Sequence, residues 1–289
     1  MHAAVAGWPR TAIVGRMSAS PPLAPQPMPQ ERTLLYAGQA FEVAQVRSHH
    51  TPSPQWSEVY TVASRRIVFP AGSTLLEVRA GNGSWLADGL TAIRFADSTA
   101  YQLRHGTPAM RRSLVVSRHR ATDADATPAF FLLSPRAVYR VHMAQRQLHA
   151  DGGGAAQVAS LLGELAALHR QLPSTGAVAR ARRLMAQATQ ATRSAPAMSL
   201  HDLADAVARS PFHLARSFRA QTGLSPHQYR QHLRLAAAME RLADGERDLA
   251  GLAHDLGYCS QSHLGAVFRR ETGVTLGEAR RVLGGSARI

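Results

Sequence analysis

Two copies of one helical pattern, about 50 residues apart, occupy the C-terminal third of this 289-residue chain. Each copy opens with apolar residues at the i, i+3, i+4, i+7 spacing, which predicts a short helix that buries one face. The apolar positions are Leu200, Leu203, Ala204 and Val207 in the first copy and Leu249, Leu252, Ala253 and Leu256 in the second. A repeat constrains the fold strongly, because both copies must build the same supersecondary unit.

A second helix is predicted after the first in each copy. The Ser210-Pro211 pair is a typical helix start, with serine as the N-cap and proline at the first helical position. Ser260 is the corresponding cap in the second copy. Gly223 and Gly273 are typical of the left-handed residue that ends a helix. These signals predict two units in which a short helix, a turn and a second helix follow one another.

Such a unit is a helix-turn-helix, and we expect one over about 199–223 and another over about 248–273, with a linking helix from Ser225-Pro226 to about Leu242. The second helix of each unit can enter the DNA major groove, where its outer face reads base edges. Burial of Leu214 and Phe218 would turn Phe212, Arg216 and Arg219 outward.

Arg216 is the best candidate in the first unit for a bidentate contact with guanine, and Phe212 could press on a thymine methyl. Phosphate contacts are expected from His213, Arg219 and Arg230. The outward positions of the second unit are Ser262, Ala266 and Arg269, beside Gly265, with Gln261 and His263 as further base readers and Arg269 and Arg270 as phosphate contacts. Because most of these side chains are short, we expect the first unit to discriminate sequence and the second to position the protein.

The two units resemble the DNA-binding domain of the AraC/XylS family of bacterial transcription regulators. The matching residues are Leu203-Ala204, Ser210, Leu214, Arg216, Phe218, Gly223, Ser225-Pro226, Tyr229-Arg230, Leu252-Ala253, Gly257-Tyr258, Gln261-Ser262, Phe268-Arg269 and Gly273-Val274-Thr275. The resemblance implies DNA-contacting roles for Phe212, Ala215, Arg216, Gln261, Ser262, Gly265 and Ala266. The chain departs from the family at Leu276 and Ala279, where Pro and an aromatic residue are usual.

The rest of the chain has a different character. Residues 31–134 read as short strands separated by turn signals such as Gly81-Asn82-Gly83, which predicts a small β-barrel or sandwich. This part resembles, more loosely, the cupin-like sensor barrel of many family members, which implies a small-molecule effector. A helical linker or dimerisation segment is expected over 135–175, including a helix over Ala155–Leu172, and the DNA-binding domain over 176–289. The predicted fold class is therefore α+β: a cupin-like barrel, a helical linker and an all-α, homeodomain-like double helix-turn-helix.

Composition supports a polyanionic partner but does not locate it. The chain carries 33 basic residues, all of them arginine, against 19 acidic ones, a formal net charge of +14. Residues 197–289 hold 12 arginines and nine acidic residues, so only +3 of this charge lies in the repeat. The case for double-stranded promoter DNA therefore depends on geometry. No apolar run is long enough to span a membrane. A single cysteine, Cys259, fits a reducing, cytoplasmic compartment and is expected to be a small packing residue rather than a redox switch.

Residues 1–30 are expected to be a disordered tail or part of an over-long gene model, with Met17 or Met28 as the true start. A homodimer and contact with RNA polymerase are compatible with this reading. Two alternatives stay open: a cupin-type metalloenzyme with a DNA-binding appendage, and an architectural DNA binder that needs no effector. Metal-ligating candidates in the barrel are His49, His50, Glu58, His105 and His119, but they lack a familiar ligand spacing, so we expect no metal, no cofactor and no enzyme activity.

Overall fold

A computed structural model describes residues 30–50, 55–72, 75–105, 109–118, 128–151, 153–166, 171–190 and 198–284. Strands fill the N-terminal part of this range and helices the C-terminal part, as the sequence predicts. No helix in the described ranges is long and apolar enough to cross a membrane. The tail expected over residues 1–30 lies outside the described residues except for Gln30, which begins the first strand.

In the ranges that the structure describes, ten strands form two antiparallel sheets. The strands are β1 Gln30–Ala37, β2 Phe41–His50, β3 Tyr60–Thr61, β4 Arg66–Pro70, β5 Leu76–Ala80, β6 Gly83–Ala87, β7 Thr91–Phe95, β8 Ala100–His105, β9 Ala109–Arg118 and β10 Ala129–Leu132. One sheet has six strands in the order β1-β2-β9-β4-β7-β10, and the other has four in the order β3-β8-β5-β6. Among the described strands, each sheet is therefore open, with an edge strand on both sides.

Side chains alternate across the six-stranded sheet, because successive residues of a strand point to opposite faces. In β4, Ile67 and Phe69 join the core shared with the helices, whereas Val68 packs in a second core. That second core also contains Val78 of the four-stranded sheet and therefore lies between the two sheets. Strand β4, in the interior of the six-stranded sheet, is consequently covered on both faces, whereas most of the edge strand β1 is exposed.

Nine helices follow among the described residues. They are α1 Pro135–Asp151, α2 Ala155–Ala166, α3 Gly176–Gln190, α4 Leu200–Ala206, α5 Pro211–Thr222, α6 Pro226–Ala243, α7 Leu249–Asp255, α8 Gln261–Thr272 and α9 Leu276–Leu283. Helix α1 begins behind Ser134, whose hydroxyl accepts a hydrogen bond from the Ala137 N–H at 3.2 Å. The predicted starts of α1, α5 and α6 are therefore confirmed.

Two predictions of secondary structure are wrong. Gly83 was expected in a break between strands but begins β6, because Gly81, with a φ of 53°, and Asn82 are enough to make the turn that lets β5 pair with β6. The helix expected to continue to Leu172 is described over Ala155–Ala166, and Leu172 itself is not helical. Leu172 instead donates its N–H to the Phe130 carbonyl at 2.8 Å and packs between the sheets. Burial beside β10 outweighs the helical periodicity of this segment.

Candidate DNA-binding surface

The first helix-turn-helix unit consists of α4 and α5, and its caps hold both helices at their starts. The Ser199 hydroxyl accepts from the Asp202 N–H at 3.1 Å, and the Asp202 carboxylate accepts from the Ser199 N–H at 2.8 Å, which is a capping box. The Ser210 hydroxyl accepts from the His213 N–H at 3.3 Å. Gly223 ends α5 with a φ of 84°. The Ser210 cap and the left-handed Gly223 were predicted from the sequence.

The second unit, α7 and α8, repeats the design with different cap chemistry. The Asp248 carboxylate accepts from the N–H groups of Ala250 at 3.1 Å and Gly251 at 2.9 Å. The Ser260 hydroxyl accepts from the His263 N–H at 3.1 Å, and Gly273 ends α8 with a φ of 86°. Both units therefore present a capped second helix whose end is fixed by a left-handed glycine.

The inner faces of α5 and α8 are buried as expected. Leu214, Phe218, Leu264 and Phe268 are fully inaccessible to solvent. Phe218 packs edge-on against Tyr229 of α6, with ring centroids 5.3 Å apart. Burial of these i, i+4 pairs fixes which side of each helix faces outward.

The outer face of α5 carries the predicted contacts of the first unit. Phe212 is 70% exposed, which is unusual for an aromatic side chain on a short, well-packed helix. His213, Arg216 and Arg219 are exposed, and Ala215 is half-buried. Within the described ranges, the Arg216 guanidinium makes no hydrogen bond or ion pair with another residue, so its donors are available to a ligand.

Arg230 lies on α6 and is half-buried. Burial, together with the positive charge of Arg234, lowers the pKa of Arg230. The Arg234 guanidinium lies 5.9 Å from the centre of the Tyr258 ring, which ties α6 to the start of the second unit. Two arginines therefore lie close together on the linking helix, and Arg230 is less exposed than the arginines of α5.

The outer face of α8 is also exposed at most predicted positions. The exposed residues are Gln261, Ser262, His263, Ala266, Arg269 and Arg270, and Gly265 is half-buried. A Cβ atom placed on Gly265 would meet nothing within 4 Å, so the surface beside it is open. Arg270 donates to Glu271 at 2.9 Å and to Gln231 at 3.1 Å, so its guanidinium is partly neutralised.

Cys259 was expected to be a buried packing residue, and that prediction is wrong. The side chain is exposed, and its sulfur lies 3.1 Å from Nδ1 of His263. The buried position in this turn belongs to Tyr258, which packs edge-on against the His263 ring at 5.3 Å between centroids. His263 is therefore held between two residues of the turn.

A buried polar cluster that the sequence did not reveal joins the sheets to α3 and α6. Arg182 of α3 and Asp88 of the β6–β7 turn form an ion pair at 3.3 Å, and both side chains are fully buried. The Tyr229 hydroxyl of α6 accepts from Arg182 at 2.8 Å and donates to Asp88. Because these partners are 47 to 141 residues apart, no local pattern could have predicted their contact.

The metal candidates are not assembled in the described part of the chain. Among the described residues, no group of three or more His, Cys, Asp or Glu side chains could hold a metal ion. His119 and the side chains of His49, His50 and His105 lie outside what the structure describes. Glu58 is half-buried near the edge strand β3.

Comparison with known proteins matches the helical repeat. A family model described as a helix-turn-helix domain covers residues 203–282. A putative AraC-like transcription regulator of Streptomyces lividans is 39% identical over 80 residues, which are 28% of this chain and 26% of that protein. The bifunctional transcriptional activator/DNA repair enzyme Ada of Escherichia coli is 49% identical over 49 residues, which are 17% of this chain and 14% of Ada. This chain thus spans about a quarter or less of the length of these relatives.

Among solved structures, ToxT from Vibrio cholerae aligns with 86% of this chain and 100% of its own, at 10% identity and a TM-score of 0.37.

Proposed function

We propose, from the premise that residues 203–282 form a helix-turn-helix domain of the AraC type, that this protein is a sequence-specific, DNA-binding transcription regulator. One observation carries the proposal. Two capped helices, α5 and α8, bury matching apolar pairs and leave their outer faces exposed, one with Phe212 and Arg216 and the other with Gln261 and Ser262.

The proposed contacts divide into base readers and phosphate binders. Arg216 would donate two hydrogen bonds to a guanine edge, and Phe212 would contact a thymine methyl group. Gln261, Ser262 and His263 would read bases from the second unit, in which Gly265 and Ala266 allow close approach to the groove. His213, Arg219, Arg230, Arg269 and Arg270 would bind phosphates, and Ala215 would lie against the groove.

The finer parts of the proposal concern the N-terminal sheets. We propose that the two sheets are a cupin-like sensor domain that binds a small-molecule effector. We further propose that α1 and α2 either couple this domain to the DNA-binding domain or form the contact of a homodimer. The protein would act without catalysis, in the cytoplasm, on promoter DNA near RNA polymerase. The described contacts between Arg182, Asp88 and Tyr229 support a rigid connection through which such control could act.

Selection from random duplexes, followed by sequencing of the bound fraction, tests the proposal. We expect a recurring sequence motif, because base contacts discriminate by about 1–3 kcal/mol for each good pair. Arg216→Ala should weaken binding to the selected duplex by roughly 10-fold or more and binding to random DNA much less. Arg118→Ala, which removes an exposed arginine from β9 of the sheet, is the matched control and should change neither.

Equal losses on both duplexes would show that Arg216 contacts only phosphate. Binding without any recurring motif would favour an architectural DNA binder. Stoichiometric iron, manganese or zinc in the purified protein, with turnover that depends on it, would favour the metalloenzyme alternative.

A further inference from the structure

A cavity lies between the two sheets of the N-terminal part. The cavity volume is about 80 Å³, and its mouth is open to solvent. The walls come from both sheets and are mostly aliphatic and aromatic, with Val46, Val68, Val78, Ile93 and Phe95 among the lining residues. A hollow of this kind, apolar with a few polar groups, is the usual form of a small-molecule site.

The polar groups of the cavity are cationic or neutral. Arg111 lines one end and is buried, and its Nε donates to the Ser113 hydroxyl at 3.3 Å. Ser48, which is also buried, lies directly opposite Arg111 in the β2–β9 register. The described residues that line the cavity include no carboxylate. This end therefore combines one guanidinium with two serine hydroxyls.

Arg66 lies towards the other end of the same cavity. Arg66 of β4 pairs in register with Ser117 of β9. Ser117 lies six residues along β9 from Arg111, so at ~3.4 Å per residue the backbone positions of Arg66 and Arg111 are about 20 Å apart along the strands. The Arg66 guanidinium donates to the Tyr101 hydroxyl at 2.7 Å and lies 5.7 Å from the centre of the Phe95 ring. Its Nε is buried without a hydrogen-bond partner among the described residues. The two arginines thus occupy separate ends, with aliphatic walls between them.

Placing a guanidinium in this apolar enclosure is unfavourable by itself. Desolvation by burial lowers the pKa of Arg111 to about 10, even though the carboxylates of Asp88 and Glu240 act in the opposite direction. An anion bound in the cavity would stabilise the charged guanidinium at close range, where the low dielectric strengthens the attraction. The neutral hydroxyls of Ser48 and Ser113 could donate to the same anion.

We propose that this cavity binds a small organic carboxylate with an apolar body. Arg111, with the hydroxyls of Ser48 and Ser113, holds the carboxylate, and the valine-rich walls contact the apolar body. Arg66 and Tyr101 bound the far end and set the length of the ligand. The role of this ligand as an effector rests on the proposed function, whereas its binding does not.

Calorimetric titration of the full chain tests the site. The probes are benzoate, hexanoate and octanoate, each paired with its neutral amide, together with inorganic phosphate. We expect at least one carboxylate to bind and its amide to bind at least 10-fold more weakly. An amide that binds as well as its acid would overturn the proposed anion recognition. Failure of the whole series to bind would overturn the site, and phosphate binding without carboxylate binding would show that the apolar walls play no part.

Variants identify the anion-binding end. Arg111→Met removes the charge but keeps an unbranched apolar side chain, and we expect it to weaken carboxylate binding at least 10-fold. Arg118→Met, at an exposed position of the same strand, should leave binding unchanged. If thermal melting shows that Arg111→Met does not fold, Ser48→Ala and Ser113→Ala provide the test, each with an expected loss of a few-fold. Unchanged affinity in a folded Arg111→Met, or in both serine variants, would overturn the assignment.

The DNA-selection experiment separates this inference from the proposed function. Carboxylate binding by a protein that selects no DNA motif would support the cavity site and contradict the regulator. Selection of a DNA motif by a protein that binds no carboxylate would support the regulator and contradict the cavity site. A bound carboxylate that changes affinity for the selected duplex would support both.

Discussion

Removing one partner of the buried Asp88–Arg182 pair should destabilise the whole described fold. Asp88 accepts hydrogen bonds from the Leu90 N–H at 3.0 Å and the Thr91 hydroxyl at 2.8 Å, in addition to Tyr229 and Arg182. Burial raises the pKa of Tyr229 well above its usual value, so the phenol keeps its proton and donates it to Asp88. The cluster therefore links the β6–β7 turn to α3 and α6.

The magnitude follows from what each substitution leaves behind. Truncating one partner of a buried ion pair costs about 3–5 kcal/mol, because the other charge stays buried without compensation. Arg182→Met leaves the Asp88 carboxylate with three neutral donors, so we expect a loss near 3 kcal/mol. Asp88→Asn leaves the fully buried Arg182 guanidinium with the Tyr229 hydroxyl, the Thr91 hydroxyl and the Leu86 carbonyl, so we expect a loss nearer 5 kcal/mol. For a chain of this size each kcal/mol lowers the thermal unfolding midpoint by about 2 °C, so these losses correspond to a fall of roughly 6–10 °C in a thermal melt.

Urea unfolding followed by circular dichroism measures these changes. The double variant Asp88→Asn/Arg182→Met should lose less than the sum of the two single losses, because it leaves no buried charge. Arg180→Met, at an exposed position of the same helix, is the control; it removes one hydrogen bond to the Val207 carbonyl, at 3.0 Å, and should cost no more than about 1 kcal/mol. Single variants within about 1 kcal/mol of the parent, or strictly additive losses, would refute a coupled pair.

Two further predictions concern pH and backbone conformation. Desolvation, together with the charge of Arg112, lowers the pKa of the buried His142 to about 4. Between about pH 4 and 6.5 the unfolded chain therefore binds the proton that the folded protein does not, and the free energy of unfolding should fall by about 3 kcal/mol as the pH drops through that window. His142→Gln should remove this part of the pH dependence in urea titrations. Gly265→Ala, inside α8 with open space around it, should stabilise by about 0.5–1 kcal/mol, whereas Gly273→Ala, at a φ of 86°, should destabilise by about 1–2 kcal/mol. Thermal melts of the two alanine variants that shift in the same direction would contradict this account.

The helical repeat could be predicted from the sequence because its determinants are local. A cap such as Ser199 bonds to a residue three positions away, and an inward pair such as Leu214 and Phe218 lies one turn apart. A left-handed glycine such as Gly223 bonds back four residues, to the Arg219 carbonyl. All of these interactions fall within one short window, so their residue types are visible in order along the chain.

The sheets were less predictable, because their determinants are distant in sequence. Strand β6 pairs through a turn that needs only Gly81 and Asn82, so Gly83 served as a strand residue rather than a breaker. Leu172 fits the helical spacing of the sequence, but in the structure its N–H donates a hydrogen bond to the carbonyl of Phe130, 42 residues away. The ion pair of Asp88 and Arg182 spans 94 residues. A single sequence does not show which of its distant residues are in contact in the fold.

Strand β9 connects the cavity to α6, the helix between the two helix-turn-helix units, through two adjacent arginines. Because neighbouring residues of a strand point to opposite faces, Arg111 enters the cavity while Arg112 reaches Asp244 at 2.8 Å and Glu240 at 3.6 Å. Those two acidic residues lie at the end of α6, the helix that joins the two units. A ligand can change DNA affinity only if it binds two arrangements of these elements unequally. The β9 backbone offers one such route, since it joins Arg111 in the cavity to Arg112, which pairs with the end of α6.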